Sequence, residues 1–123
     1  NVTNMNLMFM GCNSLINLII SNFNTSKVTD ISSMFYNCSN LTVLDLSSFN
    51  ISNVTNTSQM FMLATKLKTI YVSELWNTSK VTSSTNMFHS CTSLVGAVSY
   101  DSSKEDVSMA NYTTGYLTYK SNN

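Results

Sequence analysis

Residues 28–53 read VTDISSMFYNCSNLTVLDLSSFNISN, and the same pattern returns on both sides of them. VTNMNLMFMGCNSLINLIISNFNTSK begins at Val2, VTNTSQMFMLATKLKTIYVSELWNTSK at Val54, and VTSSTNMFHSCTSLVGAVSY at Val81. The starts lie 26, 26 and 27 residues apart, the extra residue falling near Glu74 to Trp76. Aligned in this way, the copies share columns: Val2, Val28, Val54 and Val81; Met8, Met34, Met60 and Met87; Phe9, Phe35, Phe61 and Phe88; Leu15, Leu41, Leu67 and Leu94. Shorter columns are Leu18, Leu44 and Ile70, then Ile20, Leu46 and Val72, then Phe23, Phe49 and Trp76. A period in the twenties, with apolar residues fixed and polar ones drifting, is what a solenoid requires. One copy cannot bury its own apolar face, so it stacks on the next and each column becomes an internal ladder.

Two shorter periods run inside each copy. From Thr29 onward, Ile31, Met34, Phe35 and Cys38 recur at helical spacing, with Thr29 or Asp30 placed to cap a first turn. This spacing predicts helical stretches near 30–38 and at the equivalents 4–12, 56–64 and 83–91. Then Leu41, Leu44, Leu46 and Phe49 form L-x-x-L-x-L-x-x-F, and the alternation around 43–47 predicts a short strand. Such strands would lie parallel on one another, roughly 4.8 Å apart. Asn24-Thr25-Ser26, Asn50-Ile51-Ser52 and Asn77-Thr78-Ser79 read as polar turns in which side-chain oxygens satisfy backbone groups.

The pattern V-T-x-M-x-x-M-F-x-x-C-x-x-L-x-x-L-x-L-S-x-F-x-T-S-x resembles the BspA-like leucine-rich-repeat surface proteins of bacteria, over residues 1 to about 98. Departures are local. Ala64 stands in the cysteine column, Thr57 and Ser84 replace the apolar residue found at Met5 and Ile31, and the fourth copy loses the strand's last leucine. The resemblance implies a secreted or cell-surface array, several of whose relatives bind host matrix proteins or other cells, and it implies no enzymatic activity. The expected fold is α/β: a leucine-rich-repeat-type solenoid with a short parallel sheet on one face and short helical stretches on the other. Four coils starting at 2, 28, 54 and 81 fill residues 1–98, and 99–123 form a C-terminal cap. In that cap Tyr100, Tyr112, Tyr116 and Tyr119 are expected to lay their rings on the last coil while their hydroxyls stay wet. Gly115 and the alternation from Tyr116 to Tyr119 predict a closing strand. No polar segment precedes Val2, so coil one is expected to show an open edge and the uncovered tops of Val2, Phe9, Leu15 and Phe23. The chain would then be the C-terminal part of a longer array, able to self-associate through that edge.

Composition narrows the function. Of 123 residues, 53 are Asn, Ser or Thr, and Leu, Ile, Val and Phe supply 32, too many for a disordered segment. Six lysines balance six carboxylates and there is no arginine, so nothing marks a nucleic-acid or anionic-membrane partner. No apolar run approaches the roughly 20 residues of a membrane span, and no signal peptide opens the sequence. Proline is absent and glycine occurs three times, which leaves the turns to Asn, Asp, Ser and Thr.

Residues that could carry chemistry have structural readings. Cys12, Cys38 and Cys91 share one register, where parallel side chains cannot converge on a metal. Cys38 and Cys91 would lie roughly 10 Å apart, beyond the ~7 Å reach of a disulfide, and Ala64 in the column argues for small buried residues. His89 has Met10, Tyr36 and Met62 as counterparts, so it reads as a surface histidine. Asp30, Asp45, Glu74, Asp101, Glu105 and Asp106 are scattered, and Glu105-Asp106 read as a solvated turn. Nine N-x-S/T sequons follow from the composition and the N-T-S turn. No catalytic constellation, metal site or cofactor site is expected.

The expected functional surface is the concave sheet face, onto which the residues between the strand leucines point. These are Asn17 and Ile19 in coil one, Val43 and Asp45 in coil two, and Thr69 and Tyr71 in coil three. Ser21, Ser47 and Ser73 continue each strand and look structural, whereas Ile19, Asp45 and Tyr71 differ in character from coil to coil. The expected function is protein binding or adhesion through this face, to a host matrix protein or another cell's surface protein. The alternative is a rigid spacer with recognition elsewhere.

Overall fold

The computed structural model describes residues 2–12, 20–21 and 23–122. Leu15 and Leu18, and with them the strand expected in the first copy, lie outside the described residues. In the later copies the strands form where the alternation places them. Strand β1 is Val43–Asp45 and β2 is Thr69–Val72. They pair in parallel with Val43 opposite Thr69, Leu44 opposite Ile70 and Asp45 opposite Tyr71, so equivalent positions of successive copies sit side by side. Leu44, Leu46, Ile70 and Val72 are completely buried on the inner face.

The sheet is not completed by the fourth copy. Val95 still donates to the carbonyl of Lys68 at 3.0 Å, as Lys68 does to Thr42, but the chain then folds back through an antiparallel bridge between Val95 and Ser99. The place beside β2 goes to β3, Thr118–Tyr119, which pairs Thr118 with Tyr71 and Tyr119 with Val72. Gly96 makes this crossing feasible, since a Cβ there would run into the backbone of Tyr116 and Leu117.

The helical expectation for 4–12, 30–38, 56–64 and 83–91 is corrected. These stretches are successive tight turns, and the one helical element among the described residues is a 3₁₀ turn at Val107–Met109. The backbone hydrogen bonds give the reason. An α-helix sends every N–H to the carbonyl four residues back. Here the N–H groups of Met5, Leu7, Phe9 and Gly11 donate instead to the next segment, to the carbonyls of Asp30, Ser32, Met34 and Tyr36, at 2.7–3.1 Å. The intervening Met8, Met10 and Cys12 close three-residue turns onto Met5, Leu7 and Phe9. The scheme recurs from Ile31, Ser33, Phe35 and Asn37 to Asn56, Ser58, Met60 and Met62. It requires two left-handed residues per segment: Leu7, Ser33, Gln59 and Asn86 at the first position, and Gly11, Asn37, Leu63 and Ser90 at the second. Apolar residues at steps of three and four still face inward, which is why the spacing mimics a helix.

Stacking builds the core. The rings of Phe9, Phe35, Phe61 and Phe88 lie over one another at 5.6, 5.8 and 5.6 Å between centroids, tilted by at most 14°. Met34, Met60, Met87, Leu41, Leu67 and Leu94 are fully enclosed beside them. The N-T-S turns behave as read: the Asn24, Asn50 and Asn77 carboxamide oxygens accept from the N–H of Ser26, Ser52 and Ser79. In the first segment Val2 is exposed, and Phe9 and Phe23 are half-buried.

Residues 99–119 pack over the fourth segment. The ring of Tyr116 meets Phe88 edge-on at 5.2 Å. Its hydroxyl is not wet, as expected from sequence, but lies 2.7 Å from the carbonyl of Lys104 and accepts from the N–H of Asp101. The Phe88 N–H donates to the carbonyl of Glu105 at 3.0 Å, taking the bond that Phe61 makes to Met87. The Ser90 N–H donates to the Tyr100 hydroxyl at 3.1 Å, a side chain standing where earlier segments offer a carbonyl. Among the described residues no helix is long and apolar enough to cross a membrane.

Candidate functional site

The sheet leaves one face outward. Val43 is 45 % exposed, and Thr69, Asp45 and Tyr71 are partly exposed beside it. Two rows follow from the register: Val43 with Thr69, then Asp45 with Tyr71 and Thr118. Four of the residues expected to form a binding face are thus neighbours. Asn17 and Ile19 lie outside the described residues. Ser47 and Ser73 are buried rather than displayed. Ser73 Oγ donates to the Ser47 carbonyl at 2.7 Å, so this column links the segments, whereas Ser21 is exposed.

Lys120, which no strand pattern in the sequence marks, joins this face. Two residues past Thr118, on the same side of the sheet, its Nζ reaches Asp45 Oδ2 at 2.5 Å and lies 5.5 Å from the centre of the Tyr71 ring. Asp45 Oδ1 accepts from the Ser47 N–H at 2.9 Å and the Ser47 hydroxyl at 2.6 Å. Burial alone would raise the Asp45 pKa. The hydrogen bonds from Lys120 and Ser47 outweigh it and hold the carboxyl below its ordinary range. The bond to Asp45 in turn raises the Lys120 pKa. Beside this ion pair, the Tyr119 hydroxyl donates to Glu74 at 3.0 Å and its ring tilts against Tyr112 at 5.0 Å. The face therefore combines an apolar corner, an aromatic ring and a paired charge whose members are fixed by one another. Asp45 and Lys120 are 75 residues apart, and no local pattern could have joined them.

A second cluster lies where the fourth segment meets residues 99–106. Glu105 is not the solvated turn residue expected from its neighbours. Tyr100 donates to Glu105 Oε2 at 2.5 Å, and His89 Nδ1 lies 3.1 Å from the same oxygen. The hydrogen bond from Tyr100, with the further one to His89, holds the Glu105 carboxyl below its usual range. Partial burial and the bond to Glu105 push the Tyr100 phenol up. His89 remains on the surface as read, but its ring serves to fasten the loop.

The cysteines divide. Cys38 and Cys91 are buried and donate to the carbonyls of Phe9 and Phe61 at 3.0 and 2.9 Å, whereas Cys12 is half-buried; all three are free thiols. Burial pushes the Cys38 thiol up to about 11 and the Cys91 thiol up to about 12. Among the described residues no three His, Cys, Asp or Glu side chains converge as metal ligands.

The family described as "Mycoplasma protein of unknown function, DUF285" matches residues 1–101. The chain belongs to that family. Comparison with curated proteins and with solved structures returned no match.

Proposed function

We propose that this chain is a non-catalytic protein-binding module of the BspA-like leucine-rich-repeat kind, secreted or displayed on a cell surface. In this reading residues 1–98 form a four-coil solenoid and 99–123 its cap. What supports the solenoid is the recurrence of one hydrogen-bond scheme at successive steps of 26 residues from Met5 to Ile31 to Thr57, together with strands that pair equivalent positions of adjacent copies. The observation that carries the binding role is the outward row of Val43, Thr69, Asp45 and Tyr71, which differs in chemistry from copy to copy while the inward columns stay constant. Extended faces of this type are where stacked-repeat proteins generally hold partners, and a fixed aromatic with an apolar neighbour suits protein better than a small molecule. The Lys120–Asp45 pair orders that face before any partner arrives, which reduces the entropy lost on binding.

The test is capture of extracellular-matrix proteins by the immobilised chain, compared with a Val43→Ala/Asp45→Ala/Tyr71→Ala variant and with Lys27→Ala as a surface control. Specific capture lost only in the triple variant supports the role. Capture that survives the triple change removes the face from consideration and leaves the spacer reading.

A further inference from the structure

We propose that the groove between residues 82–86 and the 103–108 loop takes an extended peptide segment of another chain, added as one more parallel rung to the stack. The backbone ladder carries the inference. In each earlier segment the two donors that open the turn are satisfied by the next one: Met5 and Leu7 by Asp30 and Ser32, Ile31 and Ser33 by Asn56 and Ser58, Thr57 and Gln59 by Ser83 and Thr85. In the fourth segment the equivalent N–H groups belong to Ser84 and Asn86. Further along the same turn the C-terminal residues take over, with Phe88 donating to the Glu105 carbonyl and Ser90 to the Tyr100 hydroxyl. The N–H groups of Ser84 and Asn86 make no such bond to a carbonyl among the described residues. The chain comes near, because the Val107 N–H donates to Ser84 Oγ at 3.1 Å, but it offers these two donors no carbonyl.

Both residues line a groove of about 520 Å³, whose other walls are Thr82, Ser83, Thr85, 103–106 and Ser108. That volume is in the range of ordinary ligand sites, about 300–1,000 Å³. The spacing of the donors defines the occupant. Wherever the pattern is complete, two N–H groups two residues apart meet two carbonyls two residues apart on a parallel neighbour, as with Asn56 opposite Ser83. A peptide backbone supplies acceptors with that repeat, and strand addition of this kind is a common mode of peptide recognition. Charge points the same way. Lys104, Glu105 and Asp106 are the ionisable residues of the lining, and their sum is negative, which favours neutral carbonyls over a bound anion.

The probe is the capped peptide acetyl-VTNTSQ-amide, a copy of residues 54–59, which carries no charge and supplies carbonyls in the required register. In the free protein, amide hydrogen exchange by NMR should be fast at Ser84 and Asn86 and slow at Thr57 and Gln59. Adding the peptide should shift the Ser84 and Asn86 amide protons downfield and slow their exchange. Filling the groove by Thr85→Trp, or by Ser103→Trp if the first variant does not fold, should abolish both effects and leave the rest of the spectrum in place. Slow exchange at Ser84 and Asn86 in the free protein would overturn the proposal. So would an absence of peptide-induced shifts, shifts that persist in the filled-groove variant, or equal shifts produced by sulfate alone.

Discussion

Replacing Phe35 by alanine tests the stacking directly. The ring is completely buried and lies between two others, 5.6 Å from Phe9 and 5.8 Å from Phe61, within 8° and 1° of parallel. Neighbouring segments are held to their spacing by backbone bonds from Phe9 to Met34 and from Phe35 to Met60, both 2.9 Å, so the cavity cannot close by collapse. A loss near the upper part of the usual Phe→Ala range, about 4–5 kcal/mol, is therefore expected. Against a typical domain stability of about 5–15 kcal/mol this is a large fraction. The melting temperature should fall by roughly 10–25 °C for a domain of this size. Phe9→Ala removes the same chemical group from a half-buried site, where Phe35 stacks at 5.6 Å and Phe23 more loosely at 6.1 Å, and because that ring is partly exposed about half the loss is expected. Urea unfolding followed by the fluorescence of Trp76, which is buried with its Nε1–H on the Ala110 carbonyl, gives both values. Equal losses for Phe9→Ala and Phe35→Ala, or a loss below about 1 kcal/mol for Phe35→Ala, would refute the ladder argument.

Three more predictions concern other parts of the molecule. With a thiol reagent at pH 8, Cys12 should react first and Cys38 and Cys91 only on unfolding, because burial suppresses both their access and their ionisation; three equal native rates would contradict this. Asp45 should titrate below an ordinary aspartate when followed by carboxyl NMR, and Lys120→Ala should raise its pKa, since desolvation stays while the ammonium leaves. A depressed carboxyl pKa stabilises the fold above the unfolded-state value and the contribution is lost as pH falls through the folded one, so acid unfolding of Lys120→Ala should depend less on Asp45; an unmoved Asp45 titration would rule out the pair in solution. Gly96→Ala should cost about 1–3 kcal/mol by forcing the added methyl against the Tyr116 and Leu117 backbone, read as a lower urea midpoint, and a neutral change would show that β3 does not cross there.

Much of this architecture was legible because the period is rigid. A column such as Leu44 and Ile70 fixes both which residues face inward and which strand lies beside which, and the register of β1 with β2 follows. The turns were misread because inward-facing steps of three and four are common to a helix and to a chain of tight turns. The distinguishing signal lay in the polar residues: Ser33, Asn37, Gln59, Asn86 and Ser90 occupy left-handed positions, and Asn is a residue that tolerates them. The constituents of the candidate face could be named from the strand pattern, but its charge partner could not. Lys120 reaches Asp45 only because the fourth copy leaves the sheet and β3 takes the place beside β2. Glu105 was likewise misjudged, since its partners His89 and Tyr100 come from segments brought together by that same departure.

The hydrogen bonds within the turns run one way, from Met5, Leu7, Phe9 and Gly11 toward the second segment and on to the fourth, whereas Thr29, Thr55 and Thr82 at their entrances donate back to the preceding segment. Peptide dipoles aligned in this manner add, as they do along a helix axis. The turns therefore carry an electrostatic polarity at right angles to the strands, whose positive sense points toward the fourth segment, where the N–H groups of Ser84 and Asn86 make no bond to a carbonyl. Acidic residues are distributed accordingly. Asp101, Glu105 and Asp106 all lie beside or beyond the fourth segment, and the hydrogen bond from Tyr100 holds the Glu105 carboxyl below its usual range there.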